Sequence, residues 1–360
     1  VSVSQTGPQN GFEIKLAPTP RGSRLVSLGA YRPRRVVDNT EICTFIESSD
    51  EWIQQRSGIA ERRWAADDET LVGMAEAASR QALAGAGLTG EDIDLVLLAT
   101  MTSFSTTPTA ANLLQAALGT RGGAVELNSA CAGFTYALAL ADQAIRAGNA
   151  RNVLVVGAER ITDIMNFSDR TTMFLFGDGA GAVVVSAADE PGIGPVAWGS
   201  WGEQSEALGV LPLLSDVARG LATERPLLFQ KGQSVFRWAV TEMPKTAAKA
   251  LELAGLKAEQ LAAFVPHQAN IRIIDAMTKY MKLPEHVVVA DDLRHTGNTS
   301  AASVPLAMEQ VLSSGRATPG DLALLVGFGG GLSHAAQVVT LPTLGPAGAS
   351  RLPDPAPLAS

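Results

Sequence analysis

A chain of 360 residues that is 46% hydrophobic, 18% charged and only 5% aromatic has material for an ample core and reads as a soluble globular protein rich in small residues. Its net charge of −8 at pH 7 works against nucleic acid and anionic membrane as partners. Two cysteines, Cys43 and Cys131, are too few for a disulfide framework or a thiolate zinc site, and the four histidines lack metal-ligand spacing, so no metal is expected.

The first residues, "VSVSQTGPQNGFEIKLAPTP", are Pro and Gly rich and carry no apolar stretch behind a basic one, so a secretory signal is not expected. No window approaches the roughly 20 apolar residues of a membrane span. Cytoplasmic localisation with reduced thiols follows. Residues 1–22 and 343–360 lack periodicity and are expected to be disordered.

Between these ends, short β-branched runs alternate with helical patterns. "RLVSLGAY" reads as the first strand. "NTEICTFIE" follows as a short helix that places Cys43 on its apolar face, a packing role. A helix over 69–87 precedes the strand "IDLVLLAT", a helix over 109–119 precedes "AVELN", and a helix over 132–148 precedes "RNVLVVGAE" and "GAVVVSAA". Each of these helices closes on a glycine.

The scheme then repeats. A helix near 233–255 leads to "AAFVPH", one at 269–282 to "HVVVA" and one at 300–314 to "DLALLVGF", with "HAAQVVTL" closing. Near-continuous apolar strands suit sheets covered on both faces, hence an α/β layered architecture. Two similar halves, 23–190 and 191–342, suggest an internal duplication.

Cys131, in "SACAGFTYAL", follows a strand and opens a helix. The unpaired N–H groups and the dipole of a helix start favour a thiolate there, and small neighbours let a carbonyl approach the sulfur. Taken alone, the residue is either a nucleophile or a buried small apolar side chain. "FVPHQANIRII" places His267 at the end of an apolar strand, and "RHTGNTSAASVPLAM" places Asn298 in a loop before a helix. Both sit at the carboxyl ends of predicted elements, where ligand sites of α/β sheets gather, though the histidine also suits an ordinary satisfied polar residue and the asparagine a turn. In "VGFGGGLSHA" three successive glycines can turn backbone N–H groups toward a ligand, or simply form a flexible turn.

Taken in order, "SACAGFTYAL", "VPHQANIRII", "HTGNTSAASVP" and "GFGGG" resemble the β-ketoacyl-acyl-carrier-protein synthase III family, initiating condensing enzymes of the thiolase superfamily. The resemblance runs from about Arg24 to Leu341. It implies a thiolase-like, duplicated α-β-α-β-α layered fold with mixed sheets. It implies that Cys131 takes an acyl group from acyl-CoA, and that malonyl-acyl carrier protein then loses CO2 and its carbanion attacks the acyl-cysteine. His267 and Asn298 would stabilise the enolate, and the N–H groups of Cys131 and Gly330 the tetrahedral oxyanion. Beyond these two substrates no cofactor is called for.

The same resemblance implies an adenine sandwich of Trp52 and Arg170, a phosphate contact at Arg56, and a pantetheine tunnel lined by Gly232, Phe236 and Asn270. Phe328 would stand beside the cysteine. Thr107 would reach into the acyl pocket of a neighbouring subunit in a homodimer, and its small size leaves room for starters longer or more branched than acetyl. Acyl carrier protein is acidic, so docking needs a local basic patch. Arg272, Lys279 and Lys282 share one helix face by their spacing, and Arg237 joins them. Glu126 and Asn128 depart from the family pattern, and 203–230 matches it poorly and is expected to shape the pocket. Two other activities fit the same cysteine: an acyltransferase passing its acyl group to an oxygen or nitrogen acceptor, and a thioester hydrolase.

Overall fold

The computed structural model describes residues 17–346. Two mixed sheets organise the chain. In the first, Gly22–Tyr31, Gly179–Ala188, Asn152–Glu159, Leu95–Ala99 and Gly123–Leu127 lie side by side in that order. In the second, the order is Ala197–Ser200, Ser333–Thr340, Leu322–Gly329, Ala263–Pro266 and Val288–Val289. Both orders run antiparallel, antiparallel, parallel, parallel. The two sheets are one topology built twice.

The segment expected to lack structure from Thr343 begins instead with a two-residue strand, Thr343–Leu344, which pairs in parallel with Ser27 and Leu28. The open edge of Gly22–Tyr31 offers these residues backbone partners, which Pro and Gly content alone does not reveal. Gly22 likewise belongs to the first strand rather than to a tail. Residues 1–16 and 347–360 lie outside the described part.

Five layers result. The helices Gly133–Arg146 and Ser303–Ser313 lie between the sheets, and one core of Phe134, Leu138, Ile145, Val304, Met308 and the inner faces of both sheets is buried around them. Leu71–Ala86 and Ala110–Leu118 cover the outside of the first sheet, and Gly232–Ala254 and Ile271–Met281 the outside of the second. The outer helices of the first half start on Thr70 and Thr109, whose side chains accept from backbone N–H groups three residues on. They end on Gly87 and Gly119 in the left-handed conformation.

Two segments depart from the simple alternation. Val288–Val289 is shorter than the apolar run around it. Residues 203–230 form a small hairpin, Leu208–Leu211 against Leu227–Gln230, with a short helix Leu214–Ala218 at its tip. Among the described residues no helix is long and apolar enough to cross a membrane.

Candidate active site

The carboxyl ends of the inner strands open on one cavity of about 1300 Å³. Cys131, His267, Asn298, Phe328 and Gly330 line it, and so do Trp52, Arg56, Arg170, Gly232, Phe236, Arg237, Asn270 and Arg272. Thirteen residues scattered from 52 to 330 meet at one place. Thr107, Lys279 and Lys282 are exposed and do not line it. Cys43 packs instead against a separate apolar cluster around Ile42 and Trp64.

Cys131 sits in a tight turn, Ala130–Ala132, that runs into the helix Gly133–Arg146. Ala130 reaches φ +45°, a conformation that costs an ordinary residue roughly 1–2 kcal/mol. The sulfur lies against the glycine run. A Cβ on Gly329 would stand 2.7 Å from the Cβ of Cys131 and 3.0 Å from its Sγ, so glycine is needed there for close approach. Burial pushes the Cys131 thiol up to about 12. The Ser300 hydroxyl works against that rise, Glu159 adds to it, and the Cys131 N–H again opposes it. Burial therefore opposes the thiolate that the start of the helix favours.

His267 follows the strand Ala263–Pro266, and its own N–H donates to the Val326 carbonyl at 2.7 Å. Its ring Nδ1 is 2.6 Å from the Ser303 hydroxyl, which also accepts from the Gln268 N–H at 3.4 Å. Of the two contacts of this hydroxyl, Nδ1 is the one that can accept its proton, and with that proton donated the imidazole carries its own on Nε2. Burial depresses the His267 pKa to about 3, so the ring is a neutral donor at physiological pH. Phe328 stands edge-on to it at 5.1 Å.

Asn298 is held through its backbone by Leu175 and Gly177, and its Oδ1 accepts the Ser300 N–H at 2.9 Å. That bond fixes the amide and leaves Nδ2 for the cavity. Gly297, at φ +68°, rests on the buried Arg62, whose guanidinium donates to Val37 O, Asn39 Oδ1 and Phe174 O.

The sequence reading missed Ser303, Ser300 and Glu159. The serines stand inside "GNTSAASVP", where a side chain that serves another residue looks like one that merely starts a helix. Glu159 ends the strand Asn152–Glu159, fully buried among hydroxyls.

At the outer end, the Arg170 guanidinium lies 5.5 Å from the Trp52 ring centroid and that of Arg56 at 6.0 Å. A ring slotted between two planes needs about 7 Å, two van der Waals gaps, so the exposed Arg170 must swing outward to admit one. Asn270 is first a helix cap: its Oδ1 accepts the Arg272 N–H, and its Nδ2 donates to Arg56 O. Leu208, Val210, Leu213, Leu214 and Leu228 of the 203–230 hairpin make one wall. Lys282 lies past the end of the helix Ile271–Met281 at φ +52°, so spacing along one face does not apply to it. Glu126 is explained by local structure: its carboxylate accepts the Ala110 N–H at the start of a helix. Among the described residues no cluster of His, Cys, Asp and Glu could hold a metal.

A family model described as 3-oxoacyl-[acyl-carrier-protein (ACP)] synthase III matches residues 125–202, and its C-terminal counterpart matches 251–341. The chain is 50% identical over 331 residues to a β-ketoacyl-[acyl-carrier-protein] synthase III of Streptomyces glaucescens, covering 92% of this chain and 99% of that one. It is 53% identical over 321 residues to that of Mycobacteroides abscessus, covering 88% and 94%. Among solved structures, the priming β-ketosynthase of the R1128 polyketide biosynthetic pathway superposes with a TM-score of 0.89 at 47% identity, covering 92% and 99%. The synthase III of Aquifex aeolicus gives 0.81 at 38%, covering 89% and 100%. The duplicated five-layer fold and this extent of identity place the chain in the β-ketoacyl-[acyl-carrier-protein] synthase III family.

Proposed function

We infer that this chain catalyses the condensation of an acyl-CoA starter with malonyl-acyl carrier protein, giving β-ketoacyl-acyl carrier protein at the start of fatty acid or polyketide synthesis. One observation carries the reading beyond family membership: beside Cys131, two side chains each have one polar atom tied down and one N–H left for the cavity. In this reading Cys131 attacks the thioester carbonyl of acyl-CoA and CoA departs as thiol. The carboxylate of the malonyl group then leaves as CO2, and the electron pair moves to the thioester oxygen as an enolate. His267 Nε2–H and Asn298 Nδ2–H stabilise that oxygen, each such donor being worth about 3–4 kcal/mol. The enolate carbon attacks the acyl-cysteine, and the tetrahedral oxyanion is received by the N–H groups of Cys131 and Gly330. Collapse returns the thiolate.

A neutral His267 suits this role. A charged imidazolium would also bind the malonyl carboxylate and stabilise the ground state, which does not speed its loss. Trp52, Arg56 and Arg170 hold the nucleotide end of CoA, and Gly232, Phe236 and Asn270 line the way of its pantetheine arm. Phe328 walls the acyl site.

The assembly we propose is a homodimer. Gly123–Leu127 is an open sheet edge, with Val125 exposed and with exposed Leu113 and Phe104 in the neighbouring segments. Thr107 stands exposed in the adjoining loop, where a partner's acyl pocket can meet it. Its small side chain favours starters larger than acetyl.

Intact-protein mass spectrometry tests the whole scheme. Incubation with a panel of acyl-CoAs should give an adduct that Cys131→Ala abolishes, that includes branched or longer starters, and that malonyl-acyl carrier protein discharges as β-ketoacyl product. An adduct that malonyl carrier leaves in place, but that discharges to an alcohol or amine, would favour the acyltransferase. Steady release of free acid without malonyl carrier would favour the hydrolase.

A further inference from the structure

Asn128 takes no part in the scheme above. It stands just past the strand Gly123–Leu127, on the approach to Cys131, and its side chain lines the cavity. Its Oδ1 accepts the Ala130 N–H at 3.1 Å. Only the oxygen of an amide can accept, so this bond fixes which way the side chain faces.

Ala130 is the residue held at φ +45°. An alanine there favours the right-handed side, so the turn is under a standing bias to relax. The peptide plane between Ser129 and Ala130 is held at both ends, its N–H by Asn128 and its carbonyl by the Ala132 N–H at 3.1 Å. The next plane is held by the Gly133 N–H on Ala130 O. These last two bonds are internal to the turn and move with it, whereas Asn128 ties it to the end of the strand. The second half enters its central helix the same way, with Asn298 Oδ1 on the Ser300 N–H at 2.9 Å and Ser300 at φ +48°.

The turn has little room for error. A Cβ on Gly330 would stand 3.2 Å from the Ala130 Cβ, and one on Gly329 3.0 Å from the Cys131 sulfur. The turn thus lies directly on the glycine run, and any rotation of it moves the sulfur relative to the Gly330 N–H. We propose that Asn128 is a positioning residue: its Oδ1 holds the left-handed turn that sets the Cys131 sulfur against the glycine run. The inference rests on Cys131 as the nucleophile.

Single-turnover acylation by an acyl-CoA, followed by intact-protein mass spectrometry, tests this. Asn128→Ala should lower the maximal acylation rate about tenfold, as for relaxation of a left-handed alanine, and leave the acyl-CoA concentration for half-maximal rate unchanged. Asn128→Ser is neutral and has no amide N–H, but its oxygen can accept from the N–H two residues on, more weakly, so it should fall between wild type and the alanine variant. In an Ala130→Gly background the left-handed turn carries no steric cost, and there Asn128→Ala should change the rate by less than about twofold. A purely structural asparagine would lower the melting temperature and leave acylation by the folded protein unchanged. A contact from Nδ2 to substrate would give a loss that serine does not reduce and that persists with Ala130→Gly. Either result overturns the proposal. If Asn128→Ala does not fold, Asn128→Ser carries the same comparison: a loss that shrinks with Ala130→Gly supports the proposal, and no loss or an equal one overturns it. An acyl adduct that survives Cys131→Ala would overturn the nucleophile reading instead, so the two failures are distinguishable.

Discussion

Ser303 shows how much a functional side chain owes to a residue that never meets substrate. Its hydroxyl fixes which nitrogen of His267 holds the proton. Ser303→Ala should lower malonyl decarboxylation by about tenfold, less than the 10²–10³ of losing an oxyanion donor outright, and leave acyl-enzyme formation unchanged. Parallel single-turnover assays of the two half-reactions check it. His267 and Glu159 also tie stability to pH, with opposite signs. Between pH 6.5 and 3 the unfolded chain binds a proton that buried His267 refuses, so this contribution is lost as pH falls through that window. Folded Glu159 keeps its proton up to about 7 whereas the unfolded carboxyl releases it near 4.5, so its contribution is lost as pH rises from 4.5 to 7. Glu159→Gln should therefore melt higher relative to wild type at pH 8 than at pH 5, by on the order of 5 °C in scanning calorimetry. Cys131, His267 and Asn298 were legible because each stands in an unusual local string. Glu159 was not, because what makes it special is burial among hydroxyls 57 to 141 residues away.

At the level of elements, the turn that presents Cys131 carries strain. Ala130→Gly removes the clash at φ +45° and should stabilise the protein by roughly 0.5–1 kcal/mol, net of the glycine's greater freedom when unfolded. Urea denaturation reads that gain. Gly329→Ala acts in the other direction, since its methyl would overlap the cysteine. Acyl-enzyme formation should fall by at least ~100-fold, because a displacement of about 1 Å at the reacting atom suffices for that. The regular elements were readable from periodicity and glycine stops, as with Gly87 and Gly119. The hairpin of 208–230 was not: its strands are four residues long, partly exposed on both faces, and show no clean alternation. Leu208, Val210 and Leu228 face the cavity as well as a small core cluster, so their apolar character is shared between wall and core and leaves no simple alternation.

Over the whole molecule, the sign of the charge opposes the proposed partner. A chain of net charge −8 must receive an acidic carrier protein through a local basic face. Lys279 is exposed on the same helix as Arg272 and outside the cavity. Lys279→Glu should raise KM for malonyl-acyl carrier protein several-fold, leave loading from acyl-CoA unaltered, and lose its effect as added salt screens the pair. Steady-state kinetics at two ionic strengths checks it. The duplication was visible in the sequence as a repeated strand and helix order, yet its depth appears only in space. The turn 300–302 before Ser303–Ser313 answers the turn 130–132 before Gly133–Arg146, and Ser300 at φ +48° answers Ala130. Ala301 thus occupies the counterpart of Cys131, Gly329 that of Glu159, and His267 that of Thr100, each at or just past the end of its strand. A pseudo-twofold axis runs between the two turns, and across it the twin sites have diverged like specialised organs. One copy carries Cys131 at its turn, and the other carries Ala301 there and brings His267 and Asn298 to the same cavity.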